Sequence, residues 1–176
     1  GSASQPAEPM QRIALYSQDT HGLGRMRRNI AIARALAADE PRAILLISGA
    51  GEAAILGLPA GADTLGLPAV DDGGHPGARC LGIGTDALVR LRGAALRSAL
   101  EAFRPDALIV DRLPAGVGGE LRPSFDVLHR MGTRLVLGLP DVLGDHERVW
   151  ADWHVSDAID VVRRHYDRVW VYGDPH

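Results

Sequence analysis

Short apolar runs alternate along the chain with longer segments in which apolar residues recur at helical spacing. Each run is nearly continuous and ends at polar residues, glycine or proline, as is typical of strands buried on both faces of a parallel sheet. Six such strands are predicted, at 12–17, 43–48, 62–67, 106–111, 134–139 and 168–172.

The segments between the strands carry apolar residues three and four positions apart, which predicts helices at 26–37, 88–103 and 121–131. Leu91 is counted on the apolar face of the second of these helices, and Gly132 is placed at the C′ position of the third. One or two further helices are predicted within 149–166. The stretch 70–84 is rich in Gly, Asp and Pro and is predicted to be a long exposed loop.

This alternation predicts one α/β domain, because strand–helix–strand units pair in parallel through right-handed crossovers. The expected fold is a doubly wound, mainly parallel, six-stranded Rossmann-like sheet of order 3-2-1-4-5-6 in a three-layer αβα arrangement. Residues 1–10 are interpreted as a tag remnant and disordered lead, and 11–175 as the domain.

Composition excludes several classes of function. A net charge of −3 gives no electrostatic case for nucleic acid, and no apolar stretch is long enough to predict a membrane span. All 19 basic residues are arginine. The chain therefore lacks the amine needed for Schiff-base chemistry, pyridoxal phosphate anchoring or a Walker-A phosphate lysine. The single cysteine, Cys80, allows no internal disulfide, and the expected location is cytoplasmic.

Ligands of such sheets bind at the carboxyl ends of the strands, where the winding direction reverses. Here that switch lies between strands one and four, so the residues that follow these strands are the candidates. His21, Asp19 and Asp111 are the candidate catalytic residues, because an imidazole or carboxylate could accept a hydroxyl proton. The candidate substrate-binding residues lie on the loops and helix start at the same edge: Thr20, Gly22, Gly24, Arg25, Arg28, Arg112, Glu120 and Asp141.

Plainer interpretations stay open for several of these residues. His21 could be an exposed loop histidine, and Asp111 and Asp141 could be helix N-caps. Gly22 and Gly24 give only part of a dinucleotide fingerprint, and a G-x-S-x-G nucleophile motif is missing, so neither a standard NAD site nor that type of hydrolase is expected. No metal site is predicted, and Trp170 is interpreted as a packing residue.

Four segments together resemble a known family: Ile13–Leu36, Arg104–Asp111, Gly132–Gly138 with Asp141-Val142, and Tyr166–Pro175. They are similar to bacterial predicted glycosyltransferases related to the MurG-type, two-domain GT-B enzymes (glycosyltransferase family 28-type). The resemblance spans nearly the whole chain. Gly22, Gly24, Asp111 and Asp141 match the pattern, whereas Gln18 and Arg25 stand where histidines are common, with His21 between them.

The resemblance implies an N-terminal, acceptor-binding half of a two-domain enzyme whose C-terminal donor domain is absent from this chain. Its partners would be a nucleotide-sugar, a hydroxyl acceptor and that second domain, with peripheral membrane contact also open. No cofactor is expected, because the nucleotide-sugar is a co-substrate held mainly by the other domain. This fragment alone is expected to be inactive. The alternative is a non-catalytic α/β ligand-binding or regulatory module.

Overall fold

A computed structural model describes residues 9–18, 24–49, 57–71, 77–140 and 157–172 of the chain. Strands β1 (Arg12–Ser17), β2 (Ala43–Ser48), β3 (Ala62–Gly66), β6 (Ala107–Asp111), β7 (Arg134–Pro140) and β8 (Arg168–Tyr172) form one sheet. Two short strands, β4 (Val70–Asp71) and β5 (Gly77–Ala78), pair with each other. The described helices are α1 (Gly24–Asp39), α2 (Thr85–Phe103), α3 (Arg122–Arg130) and α4 (Ala158–His165), with a single 3₁₀ turn at Val117–Gly119.

The order of the main sheet is β3-β2-β1-β6-β7-β8, and every neighbouring pair is parallel. This confirms the predicted doubly wound α/β sheet. Strand β1 lies between β2 and β6, so the carboxyl ends of β1 and β6 meet at the switch in winding direction. Consecutive apolar residues such as those at 13–16 are buried because side chains of a central strand face a packed layer on both sides.

The core has two layers, one on each face of the sheet. On one face, α1 packs Met26, Ile30 and Ala33 against strand residues that include Leu15 and Leu46. On the other face, α2, α3 and α4 pack against the larger cluster, which includes Leu96, Phe125 and Val161. Right-handed crossovers place the helices in this way, since β1 to β2 and β3 to β6 run in opposite directions across the sheet.

The structure corrects three expectations. Residues 70–84 are not wholly irregular, because β4 and β5 form a small antiparallel ladder within them. On α2, Leu91 is 45% exposed while its neighbour Arg92 is only 1% exposed, so the buried stripe of this helix includes a charge. Trp170 is 40% exposed on the edge strand β8 and is not a buried packing residue.

Within the described residues, no helix combines the length and apolar character needed to cross a bilayer.

Candidate functional site at the carboxyl edge of the sheet

An ion pair joins the first turns of α1 to the end of β6. The Arg28 Nη1 atom lies 3.3 Å from Asp111 Oδ1. The Asp111 side chain is 4% exposed, and that of Arg28 is 35% exposed. Parallel pairing of β1 with β6 brings the two segments together, since α1 follows the loop that leaves β1 and Asp111 ends β6. The contact therefore places two of the predicted site residues at one rim.

Tyr172 adds an aromatic ring to this ion pair. The Arg28 guanidinium carbon lies 5.6 Å from the centre of the Tyr172 ring, within the range of a cation–π contact. Burial and, to a smaller extent, the negative charge of Asp111 raise the pKa of the Tyr172 hydroxyl to about 12, against the opposing charge of Arg28. Tyr172 therefore belongs to the same cluster as Arg28 and Asp111. We call Arg28, Asp111 and Tyr172 the rim cluster.

The ring reaches this position only because residue 138 is glycine. Gly138 is the neighbour of Asp111 on β7, and a Cβ atom there would overlap the Tyr172 hydroxyl and lie 2.6 Å from its Cε2 and Cζ atoms. Real Cβ contacts are essentially never closer than 3.0 Å. Gly138 thus provides the space through which an edge-strand side chain crosses β7 towards α1.

The chain turns sharply after Asp111. Arg112 has φ = 66°, a left-handed conformation that residues other than glycine seldom adopt. The Leu113 N–H donates to the Asp111 carbonyl at 2.8 Å, and the Arg112 N–H donates to the Gly138 carbonyl at 2.8 Å. The first bond closes a tight three-residue turn of a kind that stores strain, and the second ties this turn to the neighbouring strand β7. The backbone of Arg112 is thereby held at the rim, and its substrate-binding role stays a prediction.

Glu120 occupies a different environment from the one predicted. It is 1% exposed and receives two hydrogen bonds from Arg92, from Nε at 2.6 Å and from Nη2 at 2.8 Å. The buried Tyr16 hydroxyl donates to Glu120 Oε1 and accepts the Val117 N–H at 3.2 Å. Because both carboxylate oxygens are engaged by protein donors and closed to solvent, direct substrate binding by Glu120 is not supported. We call Arg92, Glu120 and Tyr16 the buried cluster.

Electrostatics within the buried cluster favour a charged Arg92–Glu120 pair beside a neutral phenol. Burial raises the pKa of Tyr16 well above its ordinary value, and the charge of Glu120 raises it further. For Arg92, burial lowers the pKa, but the hydrogen bonds and charge of Glu120 outweigh it and leave the pKa raised. Tyr16 therefore acts as a hydrogen-bond donor to the carboxylate at neutral pH.

The remaining predicted residues are reported by position only. Asp19, Thr20, His21, Gly22 and Asp141 lie outside the described residues. Gly24 is the first residue of α1, and only the backbone of Arg25 is described. The residues from Asp19 to Gly22 connect β1 to α1. Their proposed roles, and those of Gly24 and Arg25, stay predictions.

Sequence reasoning missed Tyr172 and Gly138, and it missed that Glu120 is buried with Arg92 and Tyr16. One signal for the last of these was present. Arg92 lies four residues from Leu88 and from Leu96, on a stripe that is otherwise apolar. A charge at such a position predicts a buried partner, because an isolated charge in the core costs several kcal/mol.

Neither the family models nor the curated proteins that were compared with this sequence match it. Among solved structures, the fold matches UGT2 of Phytolacca americana, which was solved in complex with UDP-2fluoro-glucose and pterostilbene. The TM-score is 0.52 and the sequence identity 19%, over 75% of this chain. The chain shares its fold with part of a glycosyltransferase. It spans 30% of the length of that enzyme.

Among the described residues there is no group of three or more His, Cys, Asp or Glu side chains placed to bind a metal ion. Two histidines do meet on the surface, where His129 Nε2 lies 3.0 Å from His165 Nδ1 between α3 and α4. Burial lowers the pKa of His165, as do the neighbouring His129, Arg164 and Arg122, while Asp126 opposes them. The pair is on α3 and α4, neither of which contributes a residue to the rim cluster. Its effect is expected on the pH dependence of stability.

Proposed function

We propose that this chain is the acceptor-side half of a nucleotide-sugar-dependent glycosyltransferase of the GT-B type. Transfer of the sugar to an acceptor hydroxyl would occur in a cleft between this half and a second, donor-binding domain. The observation that carries the proposal is the Arg28–Asp111 contact at the carboxyl edge, in a fold shared with part of a glycosyltransferase. Strand β1 ends at that same edge, beside β6, where such sheets bind ligands.

The reaction needs a proton acceptor and a group that stabilises negative charge. The acceptor oxygen attacks the anomeric carbon, the bond from that carbon to the diphosphate breaks, and the hydroxyl proton passes to a base. His21 or Asp19 would supply the base. The Asp111 carboxylate is nearly closed to solvent and already paired with Arg28, so its proposed role is to orient Arg28 and a base on the β1–α1 segment.

Arg28 is suited to an anionic or strongly polar part of a substrate. About a third of its side chain is exposed, and its position is held on one side by a carboxylate and on another by an aromatic ring. A guanidinium fixed in this way loses little further side-chain entropy when it binds oxygen atoms. Arg112, held by its turn, would add a second cation at the same rim.

A non-catalytic ligand-binding module is the second candidate, and two observations favour it. Asp111 pairs with an arginine, and Gln18 stands at a position where the resembled family commonly has histidine. A rim of this kind could bind a polar ligand without abstracting a proton. The two candidates share the same binding edge and differ in whether a base acts there.

The test is nucleotide-sugar turnover by the protein together with any further domain that its gene encodes. UDP-glucose is the first donor to assay, with release of UDP as the readout and a panel of hydroxyl acceptors. We expect His21→Ala to lower kcat at least about a hundredfold, the usual contribution of a positioned base. Asp111→Asn should lower kcat by a comparable factor, because Arg28 and the base would no longer be oriented. Asp106→Asn is the matched control, because Asp106 lies at the opposite end of β6, where it accepts the Arg12 N–H at 2.8 Å.

Turnover that survives in both variants would remove the catalytic assignments of His21 and Asp111. Absence of turnover with every donor, together with saturable binding of the nucleotide-sugar or acceptor, would favour the binding module.

A further inference from the structure

Arg92, a residue of α2, binds two backbone segments that leave the carboxyl edge of the sheet and is linked through one of them to strand β1. Arg92 Nη1 donates to the carbonyl of Pro68, just after β3, at 2.6 Å. Its other two nitrogen donors bind Glu120, at the far end of the segment that follows β6. Glu120 in turn binds Tyr16, the penultimate residue of β1.

The buried cluster also holds the interior of the segment 112–120. The Tyr16 hydroxyl accepts the Val117 N–H, so one phenol connects β1 to two points of this segment. The fit leaves no spare room. A Cβ atom at Gly116 would lie 2.9 Å from the Tyr16 hydroxyl, and one at Gly93 would lie 3.1 Å from the Glu120 carbonyl. Gly116 also has φ = 72°, which a side chain would strain.

These contacts fix the orientation of the Glu120 side chain as well as its distance from Arg92. A bidentate arginine–carboxylate pair has one favoured planar geometry, and here it lies out of contact with water, so exchange for solvent partners cannot relax it. Arg112 and Asp111 are the first residues of the same segment. A displacement at Glu120 or Val117 therefore reaches the rim through fewer than ten residues of continuous chain, in which three glycines have positive φ: Gly116, Gly118 and Gly119.

We propose that Arg92, Glu120 and Tyr16 are positioning residues that set the relative placement of the end of β1 and of the segments after β3 and β6 at the rim. None of them touches substrate. They act by holding Asp111 and Arg112 in register with the end of β1. The inference rests on the proposed function only in taking this rim as the place where substrate binds.

Tyr16→Phe is the variant that tests the proposal, since it removes only the hydroxyl. Thr133→Val is its matched control: it removes a buried hydroxyl that donates to the Pro105 carbonyl at 2.7 Å, at the opposite edge of the sheet. Amide hydrogen exchange is measured residue by residue in the chain described here, and each rate is corrected for the change in global stability. Arg92→Met is less suitable alone, because it leaves a buried carboxylate unpaired and could prevent folding.

We expect the Val117 amide of Tyr16→Phe to exchange roughly fivefold faster, the factor that corresponds to one net hydrogen bond. The Arg112 amide, at the rim, should accelerate by at least about twofold as the turn loosens. Neither amide should change in Thr133→Val. If Val117 accelerates while Arg112 does not, the cluster stabilises only its own surroundings and the positioning role is refuted.

The rate of sugar transfer gives an independent readout, measured in the protein together with any further domain that its gene encodes. Tyr16→Phe should lower kcat at least about tenfold and leave KM within twofold, because misplaced groups weaken the transition state more than ground-state binding. An unchanged kcat in Tyr16→Phe would overturn the proposal. If the unaltered protein transfers no sugar, the proposed function fails, and the exchange experiment still decides whether the cluster positions the rim.

Discussion

Replacement of Gly138 by alanine tests whether the rim cluster depends on one missing side chain. The added Cβ would overlap the Tyr172 hydroxyl and lie 2.6 Å from two ring carbons. Since these atoms are at the far end of a side chain on an edge strand, the ring can rotate away from β7. We therefore expect Tyr172 to leave its contact with Arg28 while the backbone of the sheet is retained.

The expected magnitude follows from the contacts that are lost. Removal of the cation–π contact costs about 0.5–1 kcal/mol, and exposure of a half-buried ring costs about 1 kcal/mol. The substitution also restricts the unfolded chain, which stabilises the fold by about 0.5–1 kcal/mol. The net result for Gly138→Ala is a loss of about 1 kcal/mol in the free energy of unfolding.

Gly66→Ala is the control, because it makes the same change in strand β3 where no atom lies within 4 Å of the new Cβ. This variant should be unchanged or more stable by up to about 1 kcal/mol, from the unfolded-state effect alone. Urea unfolding of both variants measures the difference. A double variant, Gly138→Ala with Tyr172→Ala, should recover the stability of Tyr172→Ala alone, because the overlap has been removed.

The pKa of Tyr172 gives the sharper assay. Spectrophotometric titration of the phenols should show one group near 12 in the unaltered protein. In Gly138→Ala that group should shift towards about 10, the ordinary value for tyrosine, as burial is lost and the ring leaves Asp111. Equal stability of the two alanine variants, with the titration near 12 retained, would show that the ring does not cross β7 and would refute the assembly of the rim.

Three further predictions concern charged groups. Arg28→Met should cost about 1 kcal/mol in a urea titration, a value kept small because Arg28 is partly exposed, and Arg28→Lys should restore part of it by keeping a charge beside Asp111. Arg92→Met should lower the free energy of unfolding by about 3–5 kcal/mol, because Glu120 becomes an unpaired buried charge. Addition of Glu120→Gln should recover part of that loss, and a double-mutant cycle measures how much. The lowered pKa of His165 means that the unfolded state binds its proton first, so the stabilising contribution is complete above about pH 6.5 and falls as the pH drops below it. Urea midpoints at pH 7.5 and 5.5 should therefore converge in His165→Gln; an unchanged pH dependence would contradict the assignment.

The amino-acid sequence by itself determined the elements and their order. Continuous apolar runs can be buried only as central parallel strands or inside a helix, and their short length selects strands. Right-handed crossovers then leave few arrangements of six strands, which is why the order β3-β2-β1-β6-β7-β8 and the shared edge of β1 and β6 could be predicted. Asp111 was placed at that edge for the same reason.

Only the tertiary structure decided what each polar side chain does there. Asp111 ends β6 and Glu120 lies in the segment that follows it, yet Glu120 is buried against Arg92 and Tyr16 whereas Asp111 lies at the rim. The partners are distant along the chain: 28 residues separate Arg92 from Glu120, and 104 separate Tyr16 from Glu120. Local periodicity records which face of an element is apolar, but it carries no information about which distant side chain meets a given charge, because that depends on how the packed layers bring the elements together.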